Sequence, residues 1–254
     1  MARTMNNQYW NSLAKSFTDD VLEISSYDRR GVLKEEIARA AKGARAAADL
    51  GCGAGGLLEL LSSNFQTVNA VDYAAELLEQ ARQRYQFPNV KYTHHNLAGG
   101  KPLAFKADVT FCVNALISPS DDQRRKIARC VWQTTKPNGL SIFVVPSFES
   151  VIHVYRTLIR CETRDGEPRS QAVRQMDNAY RQDVKSSVDG IVDVGGMLTK
   201  CFTQEELAIF LSDTGYQVER VRKIEYSWSE EIENVPRWLK EPYPWDWFAL
   251  ARKM

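Results

Sequence analysis

The sequence predicts an α/β fold, a mostly parallel sheet with helices on both faces, and three observations carry that prediction. Short apolar runs alternate with segments of helical apolar spacing between residues 45 and 145, the pattern of strands joined by crossover helices. The first run ends in a glycine cluster, Gly51-Cys52-Gly53-Ala54-Gly55-Gly56, at a strand-to-helix turn. The composition is that of a folded chain: 254 residues, 44% hydrophobic and 26% charged, with 33 Lys+Arg against 32 Asp+Glu. That balance excludes a disordered chain. It also gives no global electrostatic footprint for nucleic acid or an anionic membrane.

The elements follow in order. Tyr9 to Ala41 has helical spacing, interrupted at Ser26 and Asp28. Arg45 to Leu50 is the first strand, and Leu57 to Leu61 starts the helix after the glycines. Thr67 to Val71 is strand two. Ala74 to Tyr85 is a helix with Leu77, Leu78 and Ala81 on one face, broken by Pro88-Asn89. Val90 to Thr93 and Ala107 to Val113 are strands three and four. Asp121 to Thr135 is a helix, Pro137-Asn138-Gly139 a turn, and Leu140 to Val145 strand five. The pattern then changes. Phe148 to Arg160 is an amphipathic helix with Phe148, Val151, Ile152, Tyr155, Leu158 and Ile159 on its stripe. Ser170 to Val184 is a second helix, and Ile191 to Phe202 is extended. Thr203 and Glu206 form a capping box that opens a further helix. Gln217 to Ile224 and Trp245 to Ala251 are the last strands. No repeat or low-complexity segment is present.

Glycines at a strand-to-helix turn let a ligand approach the backbone amides closely. The alternative is a tight turn without a ligand. Gly51, Gly53 and Gly56 also satisfy the GxGxxG dinucleotide pattern. Asp49 argues against a dinucleotide, because a carboxylate at the strand end opposes a pyrophosphate and suits a cationic amine. The stretch Asp49-Leu50-Gly51-Cys52-Gly53-Ala54-Gly55 resembles motif I of the class I S-adenosylmethionine-dependent methyltransferases. The resemblance implies a Rossmann-like doubly wound seven-stranded sheet with an antiparallel C-terminal strand. It implies S-adenosylmethionine as cofactor and S-adenosylhomocysteine as product. It also implies cofactor contacts residue by residue. Asp49, Gly51, Cys52, Gly53 and Gly55 belong to the loop. Asp72, at the end of strand two, offers two oxygens to the ribose diol, or else caps the helix that follows. Tyr73 packs on the adenine. Asn96 and Leu97 touch the adenine edge, with Asn96 departing from the family's Asp. Asn114 lies beside the methionine moiety, and Tyr9 and Phe17 close over the cofactor from the N-terminal helices. Asn114 is followed by Ala115-Leu116-Ile117, so the Asn-Pro-Pro-Tyr signature of DNA and glutamine methylation is absent.

Methyl transfer rests on proximity and orientation and needs a base only for a protonated acceptor. His153 is the candidate base. Its helical-wheel position beside Arg156 and Arg160 suggests a solvated histidine instead, and His94 and His95 read as loop residues. Tyr155, Met197, Phe202, Trp228, Trp238, Tyr243, Trp245 and Trp247 are pocket candidates that are more often core. Seven basic residues between 156 and 185 face five acidic ones, which reads as a solvated surface. The expected organisation is one domain: an N-terminal helical lid over 1–42, a core over 43–147 and 197–254, and a substrate-covering insertion over 148–196. The expected function is methyl transfer to a small-molecule acceptor. The alternatives are a tRNA or protein methyltransferase, a non-catalytic S-adenosylmethionine-binding protein, or a nicotinamide oxidoreductase. Five scattered cysteines without a CxxC pair predict buried thiols, no metal site and a cytoplasmic setting. No apolar stretch reaches the length of a membrane span, and no secretory signal opens the chain.

Overall fold

The computed structural model describes residues 24–254; the predicted roles of Tyr9 and Phe17 lie outside them. Two short helices come first, α1 (Ile24–Tyr27) and α2 (Val32–Ala40). They are separated around Asp28, where the helical spacing breaks. The core alternates as expected: β1 (Ala46–Leu50), α3 (Leu58–Asn64), β2 (Thr67–Asp72), α4 (Ala75–Arg84), β3 (Val90–His94), β4 (Ala107–Val113), α5 (Asp121–Thr134) and β5 (Thr135–Pro146). Beyond an insertion come α8 (Gln204–Asp213), β9 (Tyr216–Glu225) and β10 (Trp245–Lys253).

Seven strands form one sheet in the order β3-β2-β1-β4-β5-β10-β9. β1 pairs in parallel with both β2 and β4, and β10 runs antiparallel to β5 and β9. The central strands β1, β4, β5 and β10 are buried on both faces, which is why they hold long apolar runs, whereas the edge strands β3 and β9 are partly exposed. On one face Leu33, Ile37, Leu58 and Leu61 pack on Val68, Phe111, Ile142 and Phe248. On the other, Ala128, Val131, Leu207 and Leu211 cover Leu50, Cys112, Phe143 and Ala249.

The insertion holds α6 (Phe148–Arg164), α7 (Arg169–Asp183) and a separate antiparallel sheet of β6 (Val184–Ser186), β7 (Ile191–Val194) and β8 (Met197–Lys200). The sequence reading made 148–196 helical, with one extended run closing it. The extended run is instead a hairpin turned at Gly195 and Gly196, both with positive φ (60° and 86°). This pairing draws Met197–Lys200 into the insertion's sheet. Thr203 caps its helix as the sequence suggests, accepting from the Glu206 amide (3.2 Å), and Ser147 caps α6 in the same way, accepting from the Ser150 amide (3.0 Å). The reciprocal half of the capping box is not made. Glu206 turns its carboxylate to the buried Lys200 ammonium, which also donates to the Asp189 carbonyl (2.6 Å).

Candidate functional site

In an open α/β sheet the binding crevice lies beyond the carboxyl ends of the strands, where the connections diverge to either side. Here that point is β1, flanked by β2 and β4. The glycine loop leaves β1 there with positive φ at Gly51 (89°), Gly53 (53°) and Gly55 (91°), conformations that L side chains rarely adopt. Gly51 is required for a second reason. A Cβ on it would stand 2.7 Å from the Cβ of Ala115, so the loop packs directly on the segment after β4. The Gly51 and Cys52 amides both donate to the Val71 carbonyl (2.8 and 3.0 Å).

Two carboxylates flank this loop. Asp49 is 2% exposed, and no donor among the described residues bonds it. Burial, with Asp72 nearby, pushes its carboxyl up to about 7. Asp72 is buried and differently supported: one oxygen accepts from the Gly53 amide (2.8 Å), the other from the Ala74 amide (2.8 Å). Burial raises its pKa while the amides of Ala74, Gly53 and Tyr73 pull it back. Asp72 therefore ties the glycine loop to β2, and each oxygen keeps a further lone pair.

Tyr73 is half-buried beside it, and its carbonyl accepts from His94 Nε2 (2.8 Å). His95 Nε2 donates to the Lys101 carbonyl (2.9 Å), so both histidines serve loop geometry. Leu97 is buried against Leu50, Val71 and Cys112. Asn96 is exposed, and its carboxamide oxygen closes its own turn on the Ala98 amide (2.9 Å). Asn114 ends β4 with φ of 50°, its amide on the Val144 carbonyl (2.9 Å) and its side-chain oxygen buried without a partner. The structure thus gathers Asp49, Gly51, Cys52, Gly53, Gly55, Asp72, Tyr73, Leu97 and Asn114 along the β2–β1–β4 edge.

His153 differs from its helical-wheel position. It is half-buried: its ring packs 5.3 Å from Trp228 and 5.6 Å from Trp245, and Nε2 donates to the Pro242 carbonyl (3.0 Å). The wheel could not anticipate this, because those aromatics arrive from 75 and 92 residues downstream. Arg160 and Arg164 also depart from a purely solvated face, stacking on Trp238 at 4.8 and 4.3 Å. Trp228, Trp245 and Trp247 are core residues.

One group escaped the sequence reading. Asp246 is 6% exposed on β10, opposite Pro146 of β5 and Ile224 of β9. Burial and Glu231 push its carboxyl up to about 8. Glu231 is exposed and accepts from the Tyr226 hydroxyl (2.8 Å). A signal did exist. Asp246 is the one charged residue in Trp245-Asp246-Trp247-Phe248-Ala249-Leu250-Ala251, and a lone charge in an apolar strand is a functional candidate. Glu231, inside Glu230-Glu231-Ile232-Glu233, carried none.

Residues 47–139 match the family model of a methyltransferase domain. No curated protein matches the chain in sequence. Its fold is similar to that of solved methyltransferases. The DhpI structure with SAM and HEP matches at TM-score 0.63 and 17% identity, over 96% of this chain and 94% of that one. A methyltransferase of Haloferax volcanii, solved in complex with the Trm112 methyltransferase activator, matches at 0.61 and 14%, over 99% of each chain. The N-methyltransferase NodS of Bradyrhizobium japonicum WM9, bound to S-adenosyl-L-homocysteine, matches at 0.60 and 12%, over 98% of this chain and 99% of that one.

Proposed function

Because the chain carries a class I S-adenosylmethionine-dependent methyltransferase domain, we propose that it transfers a methyl group to a small-molecule acceptor, in a reducing cytoplasmic setting. The cofactor supplies a methyl already activated by its positive sulfonium. The chain's own residues bind, orient and exclude water. The orphaned Asp49 carboxylate is the observation that carries the cofactor assignment. A nearly sealed, unpaired acid is costly unless a cation completes it, and an amino group at the end of β1 would do so. Asp72 adds acceptors for a diol while holding Gly53, and the partnerless Asn114 oxygen takes a donor at the end of β4. Tyr73 and Leu97 supply apolar surface for a base, with Asn96 at its edge.

Support for a small acceptor comes from charge. The helix best placed to present a basic face, α5, neutralises three of its four cations, while Arg129 is exposed without an ion pair among the described residues. Arg124 is buried, donating to the Ser118 carbonyl (2.7 Å) and to Asp121 (3.2 Å). Arg125 pairs with Asp121 (2.6 Å) and Lys126 with Asp122 (2.7 Å). A polyanion would find Arg129 alone unpaired on that helix, too little for a basic face. Titration calorimetry with S-adenosylhomocysteine and NAD tests the cofactor, and methyl transfer to a small-molecule panel against bulk tRNA tests the acceptor. NAD binding without S-adenosylhomocysteine binding refutes the first reading; methylated tRNA with an inert panel refutes the second.

A further inference from the structure

The face of β10 next to β5 poses a problem that cofactor binding does not solve. Asp246 is more than nine-tenths buried. Glu231 lies close enough to raise its pKa, and no cation among the described residues pairs with either carboxyl. The other titratable groups facing Asp246 are Tyr226 and Cys201, and neither is a cation. A buried carboxyl keeps company with a second acid only at a cost, unless the site is completed by positive charge or by a shared proton.

Position says where that charge would come from. β10 runs antiparallel to β5, so its first residues meet the last of β5, and Asp246 lies opposite Pro146. That is the carboxyl edge of the sheet, the edge that carries Asp49 and Asn114. Asn114 lies two strands away across β5, roughly 10 Å at the usual strand spacing. α6, the first helix of the insertion, is tied to the same corner: Ser150 accepts from the Trp245 amide (2.9 Å) and Glu149 from the Trp247 indole (2.9 Å). The buried carboxyl therefore stands on the same sheet edge as the cofactor residues, beside the first helix of the insertion.

We propose that the acceptor is an amine and that the Asp246 carboxylate receives its ammonium and takes one proton from it. The N–H bond breaks, an O–H bond forms on Asp246, and the electron pair stays on nitrogen as the nucleophile's lone pair. Glu231, held by Tyr226, keeps the carboxyl basic enough to accept that proton. Among the described residues no cation competes for the position.

This inference rests on the small-molecule reading, and the test separates the two. The full-length protein saturated with S-adenosylhomocysteine is followed by infrared difference spectroscopy in the protonated-carboxyl C=O region at neutral pH. Wild type is expected to show a band that Asp246→Asn lacks, with methylammonium chloride removing it and isosteric methanol leaving it in place. In turnover, small amines are expected to be methylated, and Asp246→Asn to lower kcat/KM by a factor of about 100 or more. A band that methylammonium leaves untouched, or methylation of alcohols with amines inert, overturns the amine assignment while the small-molecule reading stands. Methylated tRNA with every small acceptor inert overturns that reading instead. Should Asp246→Asn fail to fold, Glu231→Gln serves. It removes the like charge, so the band titrates away at lower pH; an unshifted band indifferent to methylammonium overturns the proposal.

Discussion

Asp49→Asn has an effect on stability that can be worked from the structure with its sign. The carboxyl rises from an ordinary 3.8 to about 7 in the folded protein because it is buried beside Asp72. An acid whose folded pKa lies above its unfolded value binds more protons folded than unfolded between the two. Stability therefore falls as pH climbs through that window, and the fall is complete above the folded pKa. Between pH 5 and pH 8 the part still to be lost spans about two pH units at 1.36 kcal/mol each, or about 3 kcal/mol. The variant amide does not titrate, so that component disappears. Its own burial without a partner costs about 1–3 kcal/mol, but equally at both pH values, so it cancels in the comparison. The assay is urea unfolding of both proteins at pH 5 and pH 8 without cofactor, read as midpoint times slope. Wild type should lose about 3 kcal/mol more than the variant between the two conditions. Parallel pH profiles would refute the reasoning, since they would mean that Asp49 is not sealed from water.

Asp72→Ala should weaken S-adenosylhomocysteine binding by about 2–3 kcal/mol through two lost charge-assisted bonds, measured by calorimetry. It should also lower stability, because the Gly53 and Ala74 amides lose their acceptor. Gly51→Ala, with φ of 89° and a contact 2.7 Å from Ala115, should cost about 2–4 kcal/mol in unfolding free energy and weaken cofactor binding. His153→Ala removes a ring between two tryptophans and the bond to Pro242. It should cost about 1–2 kcal/mol of stability while leaving cofactor affinity and the pH profile of turnover in place. Loss of the acidic limb in that profile would move the proton-accepting role from Asp246 to His153.

How much was legible beforehand differs by element. The alternation from Ala46 to Pro146 was legible because the central strands β1, β4 and β5 are buried on both faces and show as apolar runs, while each helix shows its stripe. Element ends were less so. β5 begins at Thr135 rather than Leu140, because Asn138 absorbs the turn with φ of 60° inside the strand. The hairpin of β7 and β8 was unreadable as such, since an extended run does not say which partner it pairs with. At the site, Asp49, the glycines and Asp72 are local features: the chain must turn at the end of a strand, and short sequence spacing states it.

The amino-acid sequence by itself determined the parallel core, the glycine turn and the chemical class of the cofactor edge, because all three are written in neighbouring residues. Tertiary structure decided the rest. It joined His153 to tryptophans far along the chain and closed Arg160 and Arg164 over Trp238. It sealed Asp246 beside Glu231 by laying an antiparallel strand between β5 and β9. Burial and charge proximity depend on which distant segments meet, and those two quantities set what a carboxyl can do.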